Sequence, residues 1–247
     1  MVDIYTQPEL YDAIHNKYEW DKSLLISTAK IADGPVLELA AGTGRLTQLI
    51  IDLGYEYTGI DTSQEFLSIA RKKYNRYDDK IQFLHGDMRD FKLAKKFNFV
   101  FIGFNSFLHL LTNEDAMKCL QSVYDHLTED GIFLLSVFNP DPNVLCRDRN
   151  QYFPATGFFQ YNGSKCRIME RNQYDQYTQV NRVTWRLEQN RKLLWEKYNF
   201  SMKMYYPHEM DILLGESGLF IKEKIGNYDG SPMNEESEFQ IYVCGRV

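Results

Sequence analysis

Scarcity narrows this 247-residue chain before any motif is read. Its four cysteines, Cys119, Cys146, Cys166 and Cys244, are scattered with no C-x-x-C pair. That spacing argues against a zinc site or a disulfide framework, so no bound metal and free thiols in a reducing compartment are expected. Long apolar runs are missing: stretches such as residues 132–135 fall far short of the ~20 residues that cross a bilayer. The opening MVDIYTQPEL has neither the basic start nor the apolar stretch of a signal peptide, and a cytoplasmic protein that avoids membranes is expected. A basic surplus is missing as well. Twenty-eight Lys and Arg stand against thirty-four Asp and Glu, a net charge of −6, which disfavours nucleic acid as a partner. What the chain does have is 44% hydrophobic and 15% aromatic residues, enough for a core and too much for disorder.

From Pro35 onward short β-type runs alternate with helical patterns, as in a parallel sheet built from βαβ units. Strands are expected at residues 36–40, 55–60, 81–85, 97–103 and 131–138. Leu46, Leu49, Ile50 and Leu53 share one helix face, as do Ala116, Leu120, Val123 and Leu127. Thr62 with Glu65 fits a capping box that opens a helix, and two further helices, about residues 8–18 and 20–31, precede the first strand. After Pro140 the helical spacing stops. Segments 166–174, 179–187 and 193–206 read as three antiparallel strands, and alternation along residues 180–187 puts Arg182 and Arg186 on a wet face. The α/β pattern resumes at Pro207, a first helical residue, with Met210, Leu213 and Leu214 on one face and Gly215 or Gly218 to end it. Strands at 219–225 and 239–243 close the chain as an antiparallel pair. The expected fold is therefore α/β. A doubly wound sheet with a terminal antiparallel strand comes from residues 1–139 and 207–247, and residues 140–206 form an inserted antiparallel β cap.

The run VLELAAGTG at residues 36–44 leads from a buried strand into a helix. Glycines in such a turn let backbone approach a ligand, and in doubly wound sheets this is where ligands bind. A tight turn without a ligand would need no more than Gly42 and Gly44. A dinucleotide fingerprint asks for a third glycine where Thr47 stands, and Glu38 before the turn suits an ammonium and a sulfonium better than a pyrophosphate. Asp61 ends the second strand nineteen positions after Gly42, and His85-Gly86-Asp87-Met88 follows the third.

These segments resemble motif I and the adjoining motifs of class I S-adenosylmethionine-dependent methyltransferases. The resemblance implies a Rossmann-like methyltransferase sheet with S-adenosyl-L-methionine as cofactor. Glu38, Ala40, Gly42 and Gly44 would line the methionine end, with Gly103 nearby. Asp61 and Thr62 would take the ribose, and Asp87 and Met88 the adenine. The end of the fourth strand, FNFVFIGFNSFLHL at 97–110, is similar to the same stretch of glycine N-methyltransferases. It lacks the [DN]-P-P-[YF] motif of nucleobase enzymes. By that resemblance Asn105 contacts a small amino substrate, although Asn105 and Ser106 could equally cap a turn. His109 reads as a base or as a half-buried helix-face histidine. Tyr11 and Trp20 resemble an aromatic pair that folds over the cofactor in small-molecule N-methyltransferases, or they anchor a helix on the core. The inserted sheet resembles the cap of amino-sugar N,N-dimethyltransferases, covering the acceptor or joining two copies.

The resemblance implies methyl transfer to a small molecule, at an amine nitrogen or, as the near alternative, at a hydroxyl, by a monomer or homodimer. An NAD(P)-binding oxidoreductase and a cofactor-binding module without catalysis remain as readings of a different class.

Overall fold

The computed structural model describes residues 3–77 and 80–246. The chain divides into two units, Glu19–Asn139 with Tyr205–Val247 and Met1–Tyr18 with Pro140–Met204. In chain order the strands are β1 Val36–Leu39, β2 Tyr57–Asp61, β3 Ile81–His85, β4 Phe97–Ile102, β5 Leu127–Phe138, β6 Phe153–Pro154, β7 Phe159–Tyr161, β8 Ser164–Asp175, β9 Val180–Gln189, β10 Lys192–Leu193, β11 Tyr198–Lys203, β12 Leu219–Ile225 and β13 Phe239–Arg246. The α-helices are α1 Pro8–His15, α2 Lys22–Ala32, α3 Thr47–Asp52, α4 Gln64–Tyr74, α5 Asn113–His126, α6 Pro142–Leu145 and α7 Pro207–Glu216.

In the first unit seven strands run in the order β12-β13-β5-β4-β1-β2-β3. The pairs among β5, β4, β1, β2 and β3 are parallel, and β13 is antiparallel to both β5 and β12. The inner strands are almost wholly apolar because helices cover both faces of such a sheet. Every residue of β1 is buried, and so are Phe99, Val100, Phe101 and Ile102 of β4. One face packs Leu25, Ala29, Ile50, Leu67 and Ala70 onto Val36, Tyr57, Phe83, Phe99 and Phe101. Strand order reverses at β1, with β2 on one side and β4 on the other.

Local structure departs from expectation at three points in this unit. Ser63, not Thr62, caps α4: its hydroxyl accepts from Phe66 N at 3.2 Å. Ser63 N donates instead to Asp61 Oδ1 at 2.8 Å, so the strand-end carboxylate does what the Glu of a capping box would do. Strand β5 starts at Leu127, ahead of the expected Gly131, because Leu127 is fully buried opposite Phe97 and its carbonyl accepts from Arg246. Strand β13 likewise runs on to Arg246, pairing the whole length of β12. Pro207 opens α7 as expected, and Gly218, at φ 83°, follows its cap.

The second unit is a six-stranded antiparallel sheet, not three strands: short strands β6, β7 and β10 flank β8, β9 and β11. Its core joins Ile4, Leu10 and Ile14 from the N-terminal segment to Phe159, Cys166, Ile168, Leu187 and Tyr198. Residues 3–18 thus belong with this sheet, where the sequence reading had grouped them with the α/β sheet. The apolar stripe of α1 explains it, since Leu10 and Ile14 lie one turn apart and need an apolar floor. Arg182 is exposed as expected, and Arg186 on the same face is half-buried. Its Nε donates to Leu194 O at 2.7 Å, and its guanidinium lies 5.4 Å from the Tyr152 ring centre. All four cysteines are free.

Phe99 packs in the centre of the α/β core, fully buried and stacked 5.3 Å from Phe101. Phe99→Ala is expected to destabilise this unit by about 3–5 kcal/mol, read as a lower urea midpoint. A loss below ~1 kcal/mol would show that this side chain is not part of a close-packed core.

Candidate active site

The carboxyl ends of β4, β1, β2 and β3 lie side by side. The register sets Glu38 opposite both Gly59 and Phe101, and Asp61 opposite His85. Each of the four strand ends therefore delivers one segment singled out in the sequence: Gly103–Asn105 after β4, Ala40–Gly44 after β1, Asp61–Thr62 after β2 and Gly86–Met88 after β3.

The loop after β1 turns through Ala40, Gly42 and Gly44, all at positive φ (59°, 59° and 76°). At Gly44 a Cβ would lie 2.9 Å from the Tyr74 ring, so a side chain is excluded by space as well as by backbone conformation. Three bonds hold the loop. Gly42 N donates to Asp61 Oδ2 at 2.8 Å, Ala41 N to Ile60 O at 3.0 Å, and Tyr74 OH to Gly44 O at 3.0 Å. Helix α3 begins only at Thr47, three residues beyond Gly44 and later than the sequence implied.

Asp61 is the hinge of the arrangement. Its two oxygens take the N–H groups of Ser63 and Gly42, which ties the β2 end to the β1 loop. Burial holds its pKa above the ordinary value, against the lowering effect of those N–H groups. A carboxylate has about four lone-pair sites, so one more donor can join the backbone N–H groups of Gly42, Ser63 and Thr62. Thr62 is exposed, and its carbonyl meets His85 Nε2 at 3.1 Å. Asp87 is half-buried and bound to Arg89 through its N–H and guanidinium, at 2.9 and 2.6 Å, and Arg89 also reaches Asp115 at 3.1 Å. Arg89 accordingly holds the Asp87 carboxyl below its ordinary pKa. Met88 next to it is half-buried.

Glu38 is buried in β1 and accepts from Tyr57 OH at 2.5 Å. Burial pushes its carboxyl up to about 8, although the Tyr57 hydroxyl and Arg45 pull it down. Burial thus favours the protonated form over the carboxylate read from the sequence. A cation held beside it would lower the value again. Burial, and then Glu38, keep the Tyr57 phenol far above its usual value.

At the end of β4, Phe104 and Asn105 both sit at positive φ, 55° and 65°. Two consecutive non-glycine residues in this region store strain, as at many ligand sites. Asn105 is 8% exposed, and its Oδ1 is buried with no hydrogen-bond partner among the described residues. His109 is half-buried in the 3-10 turn Ser106–His109 that follows.

Trp20 stacks on Phe104 with ring centres 5.7 Å apart and 12° between planes, and it also meets Tyr228 at 4.6 Å. Next to it Asp21 forms a two-point ion pair with Arg45, whose guanidinium lies 4.8 Å from the Phe104 ring. Asp21, Leu46, Gly103 and Tyr228 line a small cavity at this edge. The sequence reading missed the Asp21–Arg45 pair. Neither residue belongs to a spacing pattern, and the packing of α2 against α3 and β4 brings them together. Tyr11 belongs to the other unit, half-buried with its ring 4.3 Å from that of His15.

Residues 36–131 match the family model described as a methyltransferase domain. The chain is 34% identical over 108 residues to the glycine/sarcosine N-methyltransferase of Aphanothece halophytica, covering 43% of this chain and 41% of that protein. It is 29% identical over 134 residues to the dTDP-3-amino-3,6-dideoxy-alpha-D-glucopyranose N,N-dimethyltransferase of Streptomyces fradiae, covering 51% of each. The chain spans about half the length, or less, of the curated relatives it matches. A solved S-adenosylmethionine-dependent methyltransferase from Clostridium acetobutylicum ATCC 824 superposes with a TM-score of 0.80 at 18% identity, covering 99% of both chains. The CcbJ methyltransferase from Streptomyces caelestis gives 0.77 at 21%, covering 92% of this chain and 95% of that one. At such identities the likeness establishes the fold alone, the Rossmann-like one these neighbours share.

Glu38 supplies a pH test. Its folded-state pKa lies above the ordinary value, so the folded protein binds the proton more tightly and stability falls as pH rises from about 4.5 to about 8. Glu38→Gln removes that slope, and the variant should gain about 1–3 kcal/mol on the wild type between pH 5 and 8 in urea titrations. Parallel stability curves for the two proteins would refute the raised pKa.

Proposed function

We propose that this chain, whose residues 36–131 match the family model described as a methyltransferase domain, is an S-adenosylmethionine-dependent methyltransferase that acts on an amine nitrogen of a small molecule. The observation that carries this reading is the stitched pair of strand ends, Gly42 N to Asp61 Oδ2, with the buried, unpartnered Asn105 Oδ1 two strand ends away in the same row. The β1 end is shaped by backbone alone at Ala40, Gly42 and Gly44, and Glu38 lies buried beneath it. The β2 end beside it offers Asp61 with Thr62 to a pair of ribose hydroxyls, and the outer β3 end offers Asp87 with Met88 to a base. Gly103 leaves the β4 end open beside Asp21, and Trp20 with Phe104 supplies aromatic surface.

When bound, the cofactor supplies an electrophilic methyl group on a sulfonium. The chain's own task is to place a nitrogen lone pair in line with it and to keep water out. Asn105 Oδ1 is an acceptor, and it would orient an amine by taking one N–H and leaving the lone pair free. His109, four residues on, is the nearest histidine in the chain and the candidate base. The choice of nitrogen rests on two relatives from different substrate classes, one named for glycine and sarcosine and one for an amino sugar, both N-methyltransferases.

Calorimetry should show binding of S-adenosylhomocysteine, and radiolabelled methyl should pass to small amines ahead of phenols. NAD binding in its place would overturn the reading. Asp61→Ala is expected to weaken cofactor binding by about 1–3 kcal/mol, through loss of charge-assisted hydrogen bonds. Asn105→Ala should raise the acceptor KM or lower kcat while cofactor affinity holds. Equal losses in both would place Asn105 in the cofactor site.

A further inference from the structure

On one face of the antiparallel sheet, β8 and β9 carry a continuous chain of hydrogen bonds. Trp185 Nε1 donates to Glu170 Oε2 at 2.8 Å, and Asn172 Nδ2 donates to Glu170 Oε1 at 2.8 Å. Asn181 Nδ2 in turn donates to Asn172 Oδ1 at 2.7 Å. The ladder follows from the register, which sets Glu170 opposite Trp185 and Asn181 opposite Tyr174, two residues beyond Asn172 on the same face.

The direction of this chain is dictated by chemistry. A carboxylate only accepts and an indole N–H only donates. With Glu170 accepting at both oxygens, Asn172 has to turn its nitrogen toward it and accept with its oxygen. Asn181 has to do the same toward Asn172. The chain therefore ends on an acceptor, Asn181 Oδ1, which is buried with no hydrogen-bond partner among the described residues. Asn181 is 3% exposed and Asn172 5%. Each bond upstream polarises the next amide, so the terminal oxygen is a stronger acceptor than an isolated amide. Buried acceptors are almost always paired, and one left over at the end of an ordered chain points to a donor from outside.

We propose that Asn181, backed by Asn172 and Glu170, binds the O–H or N–H of a small polyhydroxylated or amino-bearing molecule and rejects carboxylates. The site is built within the antiparallel sheet unit, so it stands or falls independently of the methyl-transfer reading. Its ligand class overlaps the amines proposed there as acceptors.

A single substitution tests the polarity. In Glu170→Gln the amide oxygen stays with Trp185 Nε1, and the amide nitrogen donates to Asn172 Oδ1. Asn172 then donates to Asn181 Oδ1, and Asn181 Nδ2 becomes the free end. The variant keeps side-chain size and every bond of the ladder, so it folds as the wild type does. Binding of glucosamine, rich in donors, and of malonate, an acceptor-only dianion, is followed on the Asn side-chain amide resonances of the full chain.

The wild type should bind glucosamine with a Kd about tenfold or more below that for malonate, and Glu170→Gln should shift that ratio toward malonate by about tenfold or more. Asn181→Leu should lose glucosamine binding. The proposal is overturned by absence of glucosamine binding to the wild type, by an equal ratio in Glu170→Gln, or by a crystal structure at saturating glucosamine showing only water on Asn181 Oδ1.

Discussion

Strand β1 is enclosed between β4 and β2 and buried at all four positions, and this enclosure governs the candidate site. A strand so placed leaves the sheet only by a tight reversal at its carboxyl end. Ala40, Gly42 and Gly44 make that reversal at positive φ, and the Asp61 carboxylate holds it by taking the Gly42 N–H. The bond joins the ends of the parallel neighbours β1 and β2, beside the point between β1 and β4 where strand order reverses and doubly wound sheets leave a crevice. The other groups at the edge are placed by reference to it: Asp87 one strand outward, Gly103 and Asn105 one strand the other way.

The acids along this edge have the same side-chain chemistry and quite different states. Glu38 is pushed up by burial, with a phenol on one oxygen. Asp61 is raised less simply, since backbone N–H groups offset the loss of water. Asp87 goes the other way because Arg89 lies on it. Asp21 is nearly as buried as Glu38 but keeps a guanidinium on both oxygens. A buried ion pair stabilises little over apolar packing, and breaking one leaves a costly lone charge. The Asp21–Arg45 pair is therefore a constraint on how α2 sits against the β1 loop, and it brings Trp20 onto Phe104.

The antiparallel sheet shows a different use of burial. One part of its face is filled by Ile4, Leu10 and Ile14 and is an ordinary apolar core. Farther along the same strands the residues become Glu170, Asn172 and Asn181, a polar ladder whose only carboxylate sets the direction of every bond. Buried polar networks are stable when every member is satisfied, which is what makes the unpaired end at Asn181 informative.

Much of this was readable along the chain. Apolar runs bounded by turn residues located the strands, and a turn rich in glycine after a buried strand located the loop, because both depend on neighbours a few residues apart. Asp61 and Asp87 were readable for the same reason, as each directly ends a strand. The N-terminal segment was not. Its stripe of Leu10 and Ile14 shows only that an apolar floor is needed, and which sheet supplies it depends on residues more than a hundred positions away. The cap of α4 moved from Thr62 to Ser63 because Asp61 reached back to the backbone, a competition between two nearby oxygens that a motif does not weigh. Residue identity and local spacing thus determined the elements and the residues at their ends. Tertiary structure alone decided the protonation of Glu38, the Asp21–Arg45 pair and the free oxygens of Asn105 and Asn181. Burial and hydrogen-bond partners, which settle those states, come from parts of the chain distant in sequence.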